Sequence, residues 1–167
     1  MPVASDIVAT YRGPGRVMRR LLAGPPREDR ALAYLMGGCV LTFVAQWPRL
    51  ARDAHLEGTD INPTLGGALL AWVFIAPLAF YALASVSHLV ARLFGGRGSF
   101  YGTRIALFWS WLAAAPILLL HGLTAGFVGA GPALQTVGLV WLGVFLWFWL
   151  SGLRIAETRA DLVAESI

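Results

Sequence analysis

The chain has 167 residues, 57% of them hydrophobic and 13% charged, with a formal net charge of +4. A soluble domain carries about 25% charged residues, so a water-facing globular surface is excluded. The length allows one domain, and the single cysteine, Cys39, excludes an intrachain disulfide and a cysteine-based metal site.

The first 30 residues hold no apolar stretch of signal-peptide type, so the first hydrophobic helix is expected to act as the membrane signal. Residues 16–22 place Val17, Met18, Leu21 and Leu22 on one helical face and Arg16, Arg19 and Arg20 on the rest. A short basic amphipathic helix of this kind is expected to lie in the headgroup layer. Each arginine near anionic lipid is worth roughly 1 kcal/mol there. Arg12, Arg16, Arg19 and Arg20 are the candidate lipid-facing cluster; the plainer reading is that they only enforce topology. Nucleic-acid binding is not expected, because the cluster is small and tied to the membrane. Gly24-Pro25-Pro26 closes this prelude, and Glu28 and Asp29 suit the positive end of the next helix dipole.

A membrane span needs about 20 mostly apolar residues. Four stretches qualify, at 31–50, 65–94, 103–128 and 133–153, and residues 105–153 hold no charged side chain. Each is expected to be helical, because a helix satisfies its own backbone in hydrocarbon. Asp60-Ile61-Asn62-Pro63, Gly95-Gly96-Arg97-Gly98 and Gly129-Ala130-Gly131-Pro132 punctuate them as turns. The predicted fold is therefore all-α, a polytopic transmembrane bundle of about four spans with a short amphipathic N-terminal helix. Residues 1–30 form a cytoplasmic prelude, 31–153 the membrane domain and 154–167 a cytoplasmic tail. The tail mixes Glu157, Arg159, Asp161 and Glu165 and is expected to prolong the fourth span as a short solvated helix.

Arginine counting sets the orientation. Arg12, Arg16, Arg19, Arg20, Arg27, Arg30, Arg92, Arg97, Arg104, Arg154 and Arg159 share one side of a four-span protein; only Arg49 and Arg52 fall on the other. The eleven belong in the cytoplasm. The tryptophans agree: Trp109, Trp111, Trp147 and Trp149 fall towards the cytoplasmic side and Trp47 at the outer end, as an interfacial belt. A quinone, haem or pigment platform is the sharper alternative for these rings.

Ionisable groups inside spans are functional candidates by default. His88 and His121 are the two here, expected as neutral side chains bonded to neighbouring helices. With Ser85, Ser87, Ser110 and Thr124 they make a candidate polar path. His55, Asp53, Glu57 and Asp60 of the outer loop offer His121 only a loose metal site of no strong pattern; no metal and no cofactor is expected. Pro77 and Pro116 should kink their helices near mid-span. Gly122 and Gly126 form a GxxxG pair suited to close helix packing, within the chain or between subunits. No Walker loop, HExxH or GxSxG is present, so no enzyme is expected. An all-arginine basic set with abundant Ala, Gly and Leu points to a GC-rich bacterial genome.

The prelude Tyr11-Arg12-Gly13-Pro14 to Arg19-Arg20-Leu21-Leu22, the linker Leu93-Phe94-Gly95-Gly96-Arg97-Gly98-Ser99-Phe100, and Arg104-Ile105-Ala106 followed by Pro116 stand in an order that resembles the YIP family. These are polytopic membrane proteins named for binding Rab-type GTPases in eukaryotes and widespread in bacteria. The likeness covers roughly residues 10–153 and lies in order and spacing. The family usually has five spans; four are counted here. The resemblance implies membrane organisation or protein interaction in a bacterial inner membrane, not a reaction. The expected partners are anionic lipids of the cytoplasmic leaflet and other membrane proteins, or further copies of the chain. The alternative is a small oligomeric transporter or channel using the polar path.

Overall fold

In a computed structural model the chain is described over residues 3–164, with side chains over 3–158. Arg159, Asp161 and Glu165 of the tail therefore fall outside the side chains described. The elements are α1 (Val3–Arg12), α2 (Pro14–Leu22), α3 (Glu28–Glu57), α4 (Asn62–Leu70), a π-helical turn (Ala71–Ile75), α5 (Ala76–Leu93), α6 (Phe100–Phe127) and α7 (Pro132–Ala164). There is no strand among the described residues. Four helical stretches are long and apolar enough to cross a membrane: Glu28–Glu57, Asn62–Leu93, Phe100–Phe127 and Pro132–Thr158. The all-α, four-span bundle expected from the apolar runs is what forms. Its end that carries α2 and residues 154–158 is called proximal below, and the opposite end distal.

The helices are not equivalent. Within its apolar core α6 is 67% buried by protein, whereas the stretch Asn62–Leu93 is 6% buried. So α6 is the central helix, enclosed by α3, α5 and α7 and by the two short N-terminal helices. The helix α4–α5 is peripheral and shows Phe74, Ile75, Leu78, Val86 and Leu89 outward, as a lipid-facing helix does. This ranking corrects the reading of Trp109 and Trp111 as interfacial. Both are buried, and Trp109 donates its N–H to Thr10 Oγ1 at 3.1 Å. Trp47 and Trp147, each half exposed, keep the surface position expected of a belt.

Pro77 has no N–H for the carbonyl four residues back, and its ring crowds that carbonyl. The chain answers by widening one turn. The Ala76 N–H reaches back five residues to the Ala71 carbonyl, giving the π turn immediately before the proline. Pro116 and Pro48 lie inside α6 and α3 without ending either helix.

The prelude departs most from expectation. Val17, Met18 and Leu21 are buried, but in the bundle and not in headgroups: Met18 abuts α7 at Gly152, and Gly15 faces Ile155. A further helix, α1, precedes it, beyond the single N-terminal helix expected. Tyr11 stacks edge-on against Phe148 and donates its hydroxyl to the Ala113 carbonyl at 3.0 Å. At 1.5 Å per residue, Ala113 lies about 20 Å along α6 from Phe100. The N-terminal hairpin thus penetrates the proximal half of the bundle. It is held by Arg20–Asp6 at 2.5 Å, and by Arg30, which donates to the Leu21 carbonyl at 2.5 Å and to the Tyr101 hydroxyl at 3.2 Å. Arg30 and Arg104 are more than topology charges: Arg104 pairs with Glu28 at 2.8 Å and lies over the Tyr81 ring.

Burial pushes the Tyr11 phenol above its ordinary pKa. Tyr11→Phe should remove one hydrogen bond and keep the ring. The expected loss is about 1 kcal/mol, read by thermal unfolding in mild detergent.

Candidate functional site

Two polar constellations stand out in an otherwise apolar interior. The first locks the proximal end. Glu157, placed by the continuation of α7 past the apolar run, is buried rather than solvated, contrary to the reading of the tail. His88 Nδ1 lies 3.1 Å from its Oε1 and Thr103 Oγ1 lies 3.0 Å from the same oxygen. The Gly98 N–H donates to Oε2 at 2.9 Å, and the Arg97 N–H to the Glu157 backbone carbonyl at 3.3 Å. A carboxylate accepts only, so with Glu157 ionised the proton of the His88–Glu157 contact sits on Nδ1. Three donors on one buried carboxylate meet the requirement that buried charge be paired and hydrogen-bonded.

The glycine-rich linker is part of this lock. A Cβ on Gly98 would lie 2.5 Å from the Ala156 carbonyl, and one on Gly96 would lie 2.6 Å from Glu157 Oε2. Glycine is needed there so that the backbone can lie on α7. Ser99 then caps α6, accepting from the Gly102 N–H at 3.1 Å. The trio does not work as a nucleophile relay. A relay needs the acid on one imidazole nitrogen and the hydroxyl on the other, whereas Thr103 and Glu157 both meet Nδ1. The cluster ties the peripheral α5, the linker, α6 and α7 together.

The second constellation is a cavity of about 320 Å³ in the distal half, between α3, the π turn, α6 and α7. Its walls carry the rings of Trp72, Trp111 and Trp141 and the polar groups of Thr42, Gln46, Arg49 and His121. Trp72 and Trp111 stack with centroids 6.0 Å apart, and Trp141 meets Trp111 edge-on at 5.5 Å. The π turn delivers Trp72 to this wall. The Nε1 atoms of Trp111 and Trp141 are buried and have no hydrogen-bond partner. Gly38 makes room for the Trp111 ring, which a Cβ there would strike.

The sequence-predicted residues separate accordingly. Arg12, Arg16 and Arg19 are exposed on the proximal face; Arg20 is exposed too but engages Asp6. Gly122 and Gly126 pack inside the chain: a Cβ on either would run into the backbone of α3, at Ala45 and Pro48 respectively. Of the polar path, His121 lines the cavity and the other members do not. The hydroxyls of Ser85, Ser87, Ser110 and Thr124 donate to carbonyls four residues back in their own helices, at 2.9, 2.6, 2.7 and 2.9 Å. His88 belongs to the proximal lock. Among the described residues no three His, Cys, Asp or Glu side chains form a metal-holding group. Arg52, counted only for topology, closes the distal end of α6 by donating to the Gly126 carbonyl at 3.1 Å.

Two further groups of site residues carry a signal in the sequence. Thr42, Gln46 and Arg49 follow i, i+4, i+7 spacing, one polar stripe on α3 that helical periodicity exposes. Glu157 stands next to Ala156, which with Gly152 continues a small-residue face of α7 beyond the apolar run.

The architecture is that of a multi-pass helical membrane protein, with four spans and an N-terminal helical hairpin set into one end. Comparison of the chain with protein-family models, curated proteins and solved structures returns no match.

Proposed function

We propose that the chain is a non-enzymatic inner-membrane protein of a bacterium, of YIP type, with the proximal end in the cytoplasm. It acts by organising membrane and by assembling with other membrane proteins or with itself. The carrying observation is the proximal surface. Because the bundle takes the apolar side of α2, the guanidinium groups of Arg12, Arg16 and Arg19 are held outward on a fixed frame. A preorganised basic surface at headgroup level favours anionic lipid. The lipid-exposed α4–α5 helix supplies a separate face for a neighbouring membrane protein.

The test has two arms. Reporter fusions after Arg52 and after Gly98 should report opposite sides, with Gly98 cytoplasmic. The triple variant Arg12→Gln, Arg16→Gln, Arg19→Gln should then retain several-fold less phosphatidylglycerol through purification while eluting as the parent does. Equal retention of anionic and zwitterionic lipid by both proteins, or a Gly98 fusion exposed outside, overturns the proposal.

A further inference from the structure

The side-chain charge at the proximal end is uneven. Every carboxylate there whose side chain is described already has a partner: Asp6 with Arg20, Glu28 with Arg104, Asp29 with Arg27, and Glu157 with His88. Arg12, Arg16 and Arg19 are exposed and carry no ion pair or hydrogen bond among the described residues. They are also crowded. Arg16 and Arg19 stand one turn apart on α2, a spacing of about 5–6 Å between Cβ atoms at which like charges repel. The Arg19 side chain lies back along the helix, with Nη1 3.9 Å from the place of a Cβ on Gly15. Arg16 sits in the first turn of α2, at the positive end of its dipole, where a cation is disfavoured and an anion is favoured. Arg12 ends α1, two residues before α2 begins.

Depth decides the kind of anion. On α7 the apolar run ends at Leu153, and Arg154 follows. Met18 of α2 abuts α7 at Gly152, and Gly15 faces Ile155. So α2 straddles the level at which hydrocarbon gives way to headgroups, and its outward arginines stand at the depth of lipid phosphates. A single phosphate would neutralise one of these three cations. Two phosphates on one head would neutralise two, and once the first is held the second binds intramolecularly, at high effective concentration. Two separate lipids would each have to be captured.

We propose that Arg12, Arg16 and Arg19 form a headgroup site for a lipid with two phosphodiesters on one head, a diphosphatidylglycerol in chemical class. Arg16 and Arg19 share one phosphate through charge-assisted hydrogen bonds, and Arg12 takes the other. The inference rests on the proposed function, in which the proximal surface engages anionic lipid, and narrows that partner to one class of head.

The full chain is reconstituted in phosphatidylcholine vesicles that contain diphosphatidylglycerol and twice its molar amount of phosphatidylglycerol, so that both supply equal phosphate. After extraction in mild detergent, retained lipid is counted by mass spectrometry. Diphosphatidylglycerol should be retained near one per chain and several-fold in preference to phosphatidylglycerol per phosphate. Arg16→Gln and Arg19→Gln should each reduce that preference several-fold while eluting as the parent does. Arg154→Gln removes the same charge from an exposed position on α7 and should leave it unchanged. Equal retention of the two lipids per phosphate, or an equal effect of Arg154→Gln, overturns the inference while the wider preference for anionic lipid stands. Retention of neither anionic lipid above phosphatidylcholine overturns both.

Discussion

Glu157→Ala should destabilise the folded chain by about 3 kcal/mol, the order expected when several buried donors lose a shared acceptor. The substitution strips the acceptor from His88 Nδ1, Thr103 Oγ1 and the Gly98 N–H together. Thr103 retains the Ser99 carbonyl at 3.4 Å, so it suffers least. Gly98 has no other acceptor of this quality, and the linker carrying it should lift from α7. Trypsin cleavage after Arg97, in that linker, should therefore accelerate well beyond the parent rate in detergent solution. Glu157→Gln should fall between the two, since its amide offers one acceptor where the carboxylate offers two. In a His88→Ala background the cost of Glu157→Ala should shrink, because the two residues share one network. Additive losses with an unchanged cleavage rate would mean that the cluster is a bystander.

This lock explains how a helix as weakly packed as α5 keeps its place. With little of Asn62–Leu93 covered by protein, few apolar contacts hold it to α6. Lipid tails compete for its side chains on nearly equal terms, since hydrocarbon is as apolar as leucine. Polar ties do not face that competition. His88 secures the proximal end of α5, helped by its packing on Phe100 at 4.1 Å between ring centroids. Tyr81 and Phe80 pack on Phe108 and Trp111 further along. At the distal end Trp72 stacks on Trp111. The π turn lies between these two sets of contacts and sets their rotational register.

The same equality of lipid and leucine decides what the sequence revealed. Apolar length is independent of what surrounds a helix, so the four spans were legible from residues 31–153. Which helix is central was not, because α6 is apolar around its whole circumference and a lipid-facing helix looks alike. Trp109 and Trp111 were therefore placed at an interface when they stand in the core. The α1 segment leaves no local signal because its fit rests on distant partners, Trp109 and Ala113, that periodicity cannot supply. His121 was legible as a candidate because a titratable group in a span is conspicuous. Its companions Gln46 and Arg49 were not grouped with it, since they belong to a different helix and meet it only after α3 and α6 cross.

That crossing is where the smallest substitution should do the most harm. Gly122→Ala should prevent α3 and α6 from approaching, because the added methyl would occupy the position of the Ala45 carbonyl. The obstacle is backbone, so no rotamer change relieves it, and the helices must separate along their length. Overpacking of a tight interior costs typically 1–3 kcal/mol and occasionally more. Here the upper end, about 3 kcal/mol, is expected, since α3 packs on α6 more extensively than on any other element. Separation would also widen the distal cavity that Gly122 lines and move Arg49 away from the indoles. The readout is the yield of monodisperse protein in mild detergent and its unfolding temperature, both sharply lower than for the parent. Gly66→Ala is the matched control. It adds the same methyl to a peripheral helix, where nothing lies within 4 Å, and should leave both quantities unchanged. Equal tolerance of the two substitutions would show that Gly122 does not mark a helix–helix contact, and the packing of the whole distal half would have to be redrawn.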